Sequence, residues 1–186
     1  KEAKHIFFEK PQLILDELNY KLIKQQKKFE KVWLNVQKEM SKEGVILKTT
    51  DDLDEQQQKF VKEFYINEVE SNLIPLLLDE NRPMPYIRDK SLYLGVAMKM
   101  KDWNYETNFA VIEIPTDRIS RFTILPSPKN EVHLILLEDI IKFNLPYIFS
   151  FFGFDDFKAH AFKITRDAEF DLDNDINTDI AEKIAK

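Results

Sequence analysis

The hydrophobic period of this chain changes at Pro75, and that change constrains the fold more than any other feature. Ahead of it, Leu15, Leu18, Leu22, Phe29, Trp33, Val36 and Met40 recur in steps of three, four or seven, the stripe of one long amphipathic helix. Pro11 suits a first helical turn and Gly44 a helix end. About thirty residues at 1.5 Å each give an element of roughly 45 Å. Val45 to Lys48 reads as a short extended piece. Thr50-Asp51-Asp52 reads as the start of a second helix, with Phe60, Phe64, Ile66 or Asn67, and Val69 on its buried side.

Beyond Pro75 the period is two. Leu92, Leu94, Val96, Met98 and Met100 alternate with Tyr93, Gly95, Ala97 and Lys99, which predicts a strand. Further strands are expected at 108–114, 121–125, 132–136 and 159–169, with Pro115, Pro126 and Pro128 marking strand ends. Glu138-Asp139 favours a helix start, and 140–149 continues it with Pro146 as an interruption. Short connections argue for an antiparallel sheet rather than βαβ units. The expected class is α+β, with long N-terminal helices packed against a mostly antiparallel sheet of four to five strands.

Composition narrows the function classes. The chain has 186 residues, 44% of them hydrophobic, with 15 Phe, 3 Gly and 8 Pro, enough to build a core and unlike a disordered tail. No apolar run reaches the ~18–20 residues of a membrane helix. The absence of cysteine removes disulfides, zinc–thiolate sites and cysteine nucleophiles together. Glycines only at 44, 95 and 153 cannot form a phosphate-cradling loop, which needs them clustered. The chain lacks an initiator Met, and 179–186 reads as a helix cut short, so an excised fragment is expected.

The net charge is −6, unevenly spread. Residues 1–50 hold 11 Lys against 7 acidic residues, and residues 51–186 hold 16 basic against 26 acidic ones. Lys21, Lys24, Lys28, Lys31, Lys38 and Lys42 form a second stripe on the long helix, away from the apolar one. The plain reading is a solvated face laced with Glu17, Glu30, Glu39 and Glu43. The functional reading is a polyanion-facing surface centred on Lys21, Lys24, Lys28 and Lys31. This helix has no Arg, the better phosphate clamp.

No catalytic, cofactor-binding or metal-binding set emerges. His5 has no partner at a telling spacing, and His133 sits in a strand opposite Val132 and Leu134. His160 is three residues from Lys163, so on a strand the two point to opposite faces. Asp171, Asp173 and Asp175 alternate as calcium-loop ligands do, without the mid-loop Gly of such a loop. Arg166 falls in phase with Phe162 and Ile164. That predicts either a bulge or an internal ion pair, because a buried guanidinium needs a carboxylate. Thr165, Arg166, Asp167 and Glu169 are therefore read as a structural motif.

The run Thr165-Arg166-Asp167-Ala168-Glu169-Phe170-Asp171-Leu172 resembles a stretch of the large, dimeric class of bacterial polyphosphate kinases. Asp79-Glu80-Asn81-Arg82-Pro83-Met84-Pro85-Tyr86-Ile87, Ile112 to Phe122, and Phe149 to Phe154 before Asp155 resemble further landmarks in the same order. Glu80 stands where many members have Pro. The similarity spans about Pro11 to Leu172 and covers the family's middle, or head, domain. It implies one head domain over 1–186: a helical part at about 11–72, a sheet-rich part at about 73–172 and a truncated helix at about 175–186.

The resemblance implies, for the parent protein, reversible transfer of the ATP γ-phosphate to inorganic polyphosphate, with Mg²⁺ and a phosphohistidine. The family's nucleophilic His, its phosphate-gripping Arg residues and its adenine-side Asn have no matching position here, so this piece alone is expected to be inactive. Implied partners are the other domains of the same enzyme, a second subunit and polyphosphate, with no nucleic acid and no transmembrane segment. The implied role is dimer assembly and shaping of the polyphosphate tunnel. The implied location is the cytoplasm, with the membrane periphery as a variant. The competing reading is a stand-alone α+β protein-interaction module with no phosphate chemistry.

Overall fold

The computed structural model describes residues 11–79, 81–100 and 107–165. The element order is α1 (Pro11–Lys42), β1 (Val45–Lys48), α2 (Glu55–Phe64), β2 (Pro75–Leu78), β3 (Leu92–Lys99), β4 (Asn108–Glu113), β5 (Phe122–Leu125), β6 (Val132–Leu136), α3 (Leu137–Phe143), α4 (Leu145–Ile148) and β7 (Asp156–Lys163). The α+β class holds. The strands are divided between two sheets, ordered β1-β6-β5 and β2-β4-β3-β7, where one sheet was expected. The pairings of the four-stranded sheet are all antiparallel.

The chain divides into two compact units, residues 1–48 with 124–134, and 49–123 with 135–186. In the first, α1 has the predicted span. Its stripe, however, is not a buried side: no residue of α1 is buried, and Leu22 and Phe29 are 60% and 68% exposed. Gly44 ends the helix turn with φ +76°, and its carbonyl accepts the Val132 N–H at 2.8 Å. A Cβ at this position would lie 2.7 Å from the Asn130 carbonyl oxygen, so both conformation and space demand glycine.

In the second unit the helix start differs from expectation. Thr50–Asp52 is a 3₁₀ turn, and α2 begins at Glu55. Asp54 caps it, accepting the Gln57 N–H at 2.8 Å, while Leu53 between the two turns is buried. The buried side is Gln57, Val61, Tyr65 and Val69, with Phe60 and Phe64 half-buried and Ile66 exposed. Steps of four would drift around a regular helix. A π turn over Tyr65–Val69 absorbs the drift by underwinding, which keeps Val69 on the face of Val61.

Strand β3 lies between β4 and β7 and presents two faces. On one, Leu94, Val96 and Met98 join Ala110 and Ile112 of β4, all at 0–1% exposure. Phe157 of β7 shares that face through its pairing with Met98, and Phe149, just after α4, stacks on it at 6.1 Å. Tyr65 meets Tyr147 edge-on at 5.9 Å, and Lys62 lies over the Phe143 ring. Asn144 ends α3 by donating its side-chain amide to the Ile140 carbonyl at 2.8 Å, and Pro146 sits in the first turn of α4, where a missing N–H costs nothing.

Two other corrections concern strand ends. β2 is a continuous apolar run with no alternation, which the periodicity did not register. β7 starts three residues earlier than expected and runs Asp156–Lys163, in register with all of β3; the expected stretch 166–169 lies outside the described residues. The expected helix at 175–186 lies outside the described residues.

Gly44 and Gly153 are both left-handed, but only Gly44 has a close neighbour, and nothing lies within 4 Å of a Cβ at Gly153. Gly153→Ala should cost about 1 kcal/mol, and Gly44→Ala clearly more. Denaturant midpoints of the two variants check the ordering.

Candidate functional site

The landmark segments around 79–88 and 112–122 converge in the second unit. Asp79 turns the chain after β2: its carboxylate accepts the Asn81 N–H at 2.9 Å and its carbonyl the Arg82 N–H at 3.1 Å. The segment then passes over one face of the sheet. Ile87, Tyr93 and Val111 form a buried cluster there, with Leu78, Phe162 and Ile164 packed against it. The Arg88 N–H donates to the Tyr93 hydroxyl at 2.7 Å, which fixes the Arg88 backbone. After β4, the Arg118 and Ile119 N–H groups both donate to the Pro115 carbonyl, folding Pro115–Ile119 into a compact turn.

Between these segments lies a concavity of about 310 Å³ lined by Asn72, Ile74, Tyr86, Arg88, Glu113, Pro115, Asp117 and Arg118 among others. Arg88 lies 3.8 Å from Glu113 and Arg118 4.0 Å from Asp117. Arg118 also donates to the Asn72 side-chain oxygen at 3.3 Å. Both guanidiniums are about two-thirds exposed, and such pairs contribute little to stability. The charges balance, so this hollow is not a preformed anion site.

One part-buried ion pair was not foreseen from the sequence. Glu138, in the first turn of α3, is buried, and Arg121, next to β5, grips it: Nε donates to both carboxylate oxygens at 3.1 and 3.3 Å, and Nη2 to Oε1. The Leu137 N–H also donates to the Arg121 carbonyl at 2.8 Å. The hydrogen bond to Glu138 raises the guanidinium pKa further. An acidic residue at a helix start reads as dipole compensation, and only the fold shows that this one is buried and needs a cation. The ion pair expected at Arg166 falls outside the described residues, as do Asp167 and Glu169. Thr165 is exposed beyond β7.

The histidines are not brought together. His133 is buried, with Nε2 2.7 Å from a Glu131 carboxylate oxygen. His160 is exposed, opposite Gly95 in the register, and helps line an apolar trough of about 450 Å³ with Lys158, Phe162, Ala97 and Phe109. His5 lies outside the described residues. Among the described residues no group of three His, Asp or Glu side chains could hold a metal ion, and no helix is long and apolar enough to cross a membrane. On α1, Lys21 pairs with Glu17 at 2.6 Å and Lys42 with Glu39 at 2.7 Å. Lys24, Lys28 and Lys31 are exposed and have no ion-pair partner among the described residues.

The ordered segments around 79–88 and 112–122 are among those whose likeness to polyphosphate kinases the sequence shows, and the comparisons agree with it. The family model of the polyphosphate kinase middle domain matches residues 56–186, and the chain belongs to that family. It is 32% identical over 176 residues to a polyphosphate kinase of Vibrio parahaemolyticus, covering 92% of this chain and 25% of that protein. To a polyphosphate kinase of Escherichia coli K12 it is 27% identical over 173 residues, again 25% of that protein. The crystal structure of polyphosphate kinase from Porphyromonas gingivalis superposes with a TM-score of 0.76 at 25% identity, over 90% of this chain and 25% of that one. The chain thus spans about a quarter of the length of these relatives.

Arg121→Ala leaves the Glu138 carboxylate buried without its cation. The expected loss is about 2–3 kcal/mol, a fall in melting temperature of roughly 5–10 °C; Arg88→Ala, at an exposed pair, should change it little. Thermal scans of both variants test the contrast.

Burial pushes the Tyr65 phenol up to about 12, and Glu70 and Tyr147 add to the effect. A phenol with a folded pKa above its unfolded value of about 10 contributes stability that is intact below pH 10 and lost as pH rises towards 12. Denaturation midpoints across that window should fall with pH, and Tyr65→Phe should flatten the fall.

Proposed function

We propose that this chain is the head domain of a polyphosphate kinase, and that its role there is assembly and shaping rather than phosphoryl chemistry. The parent enzyme transfers the ATP γ-phosphate reversibly to inorganic polyphosphate through a phosphohistidine, with Mg²⁺. The domain occupies 1–186 as one functional part, contacts the other domains of the enzyme and a second subunit, and helps wall the path of the polyphosphate chain in the cytoplasm. The observation that carries this reading is the family match across residues 56–186.

Thr165, Arg166, Asp167 and Glu169 serve structure in this reading. Lys21, Lys24, Lys28 and Lys31 provide a diffuse cationic surface for a passing polyanion, without the fork geometry that would fix single phosphates.

Two measurements test it. Incubated with γ-labelled ATP and Mg²⁺, the 186-residue chain should neither make polyphosphate nor carry acid-labile phosphate; label on His133 or His160 overturns the reading. Polyphosphate binding to the α1 lysines should fall by roughly one to two orders of magnitude between 50 and 200 mM salt, and replacing Lys24, Lys28 and Lys31 with Gln should flatten that dependence.

A further inference from the structure

We infer that the trough on the four-stranded sheet is a binding site for a small aromatic anion, a flat apolar body of about two rings carrying one carboxylate. The site follows from where the small residues of β3 fall. On the face that carries Tyr93, β3 presents Gly95 and then Ala97. Val111 and Phe109 of β4 flank them on one side, and His160 and Lys158 of β7 on the other. Ile87 packs over the Tyr93 end of this face, whereas Gly95 and Ala97 stay part-exposed. A low central strand between two taller neighbours leaves a hollow of about 450 Å³, within the range of about 300–1,000 Å³ usual for small organic ligands.

Three features select the occupant. The first is that its body is apolar. β3 uses its backbone groups on β4 and β7 along both edges, so the floor offers no hydrogen bond, and a polar ring such as a nucleobase gains no partner there. The second is flatness. Neighbouring strands lie about 4.8 Å apart, so a ring seated over Gly95 and Ala97 falls within the ~4.5–7 Å centroid range of aromatic pairs, with Phe109 on one side and His160 on the other. Phe109 is 48% exposed. The Phe162 ring closes one end, 3.4 Å from where a Gly95 Cβ would lie, and is backed by Tyr93 at 5.7 Å.

The third feature is charge. Lys158 is exposed and enters no ion pair among the described residues. The other charges of this face are matched: Asp156 stands opposite Lys99 in the register, and Glu113 lies 3.8 Å from Arg88. Lys158 is therefore the net charge beside the trough. A single ammonium next to an apolar floor suits one carboxylate on a ring rather than a polyphosphate, which needs several cations and no apolar surface.

Isothermal titration of 2-naphthoate into the 186-residue chain tests the site. The expected dissociation constant is on the order of 0.1 mM, as for a well-fitted ligand of this size. 2-Naphthamide, of the same shape without the charge, should bind about threefold more weakly, and the two should bind alike in Lys158→Gln. Ala97→Leu raises the floor and should weaken naphthoate at least tenfold with unchanged circular dichroism. Lys158→Gln alters an exposed side chain and keeps the test decisive even where Ala97→Leu fails to fold. Naphthoate that does not saturate the chain at millimolar concentration, equal binding of acid and amide by the unaltered chain, or undiminished binding in folded Ala97→Leu overturns the inference. So does displacement by equimolar inorganic triphosphate, the behaviour of a plain anion surface. Loss of binding in the full-length enzyme also overturns it, because another segment is then seated in the trough. None of these outcomes bears on the histidine labelling that decides the phosphotransfer reading.

Discussion

The second unit depends on strand β3 being hydrogen-bonded along both edges. β4 pairs with Tyr93–Met98 on one side and β7 with Leu92–Lys99 on the other. With both edges used, the only freedom left to β3 is which face each side chain takes, and the pleat decides that by alternation. Leu94, Val96 and Met98 go to the sealed face; Tyr93, Gly95 and Ala97 go to the face crossed by the 86–88 segment. A slip of one residue would exchange the two sets, exposing three large apolar side chains and burying Lys99.

The landmark segments make physical sense against that strand. Tyr93 is buried, yet its hydroxyl takes the Arg88 N–H, so the central strand fastens the loop that covers it. Gly95 lets the Phe162 ring lie close, 3.4 Å from where a Cβ would sit, while Phe162 stacks on Tyr93 at 5.7 Å. Arg121 and Glu138 then join the approach to β5 to the start of α3 through one bidentate pair whose carboxylate is buried. These are fixing devices. They hold the loops that flank the sheet in place.

Charge and apolar surface are unevenly divided along the chain. The lysine-rich helix belongs to the first unit, while most of the acidic excess belongs to residues 51–186. α1 is amphipathic in sequence but has no buried residue. Helices of this length are held by tertiary or quaternary packing more than by propensity, and in this chain the stripe stays exposed.

Periodicity alone determined the elements that interact with themselves or with immediate neighbours. α1 from Pro11 to its end before Gly44, β3, β4, β6 and the break at Pro146 were legible because helix and strand periods, caps and prolines act within a few residues. The family likeness was legible too, since ordered short motifs survive in a linear reading. What the sequence could not decide depends on partners far along the chain. A 3.6-residue stripe says that one side is apolar, not that anything covers it, and α1 is exposed. Glu138 reads as a helix-start acid until Arg121, seventeen positions earlier, is folded against it. The division of strands into two sheets, the π turn that realigns Val69 with Val61, and the full length of β7 are all set by cross-strand and core contacts. Tertiary structure decided those because burial and pairing are properties of two segments at once, and one segment's pattern carries only half of each.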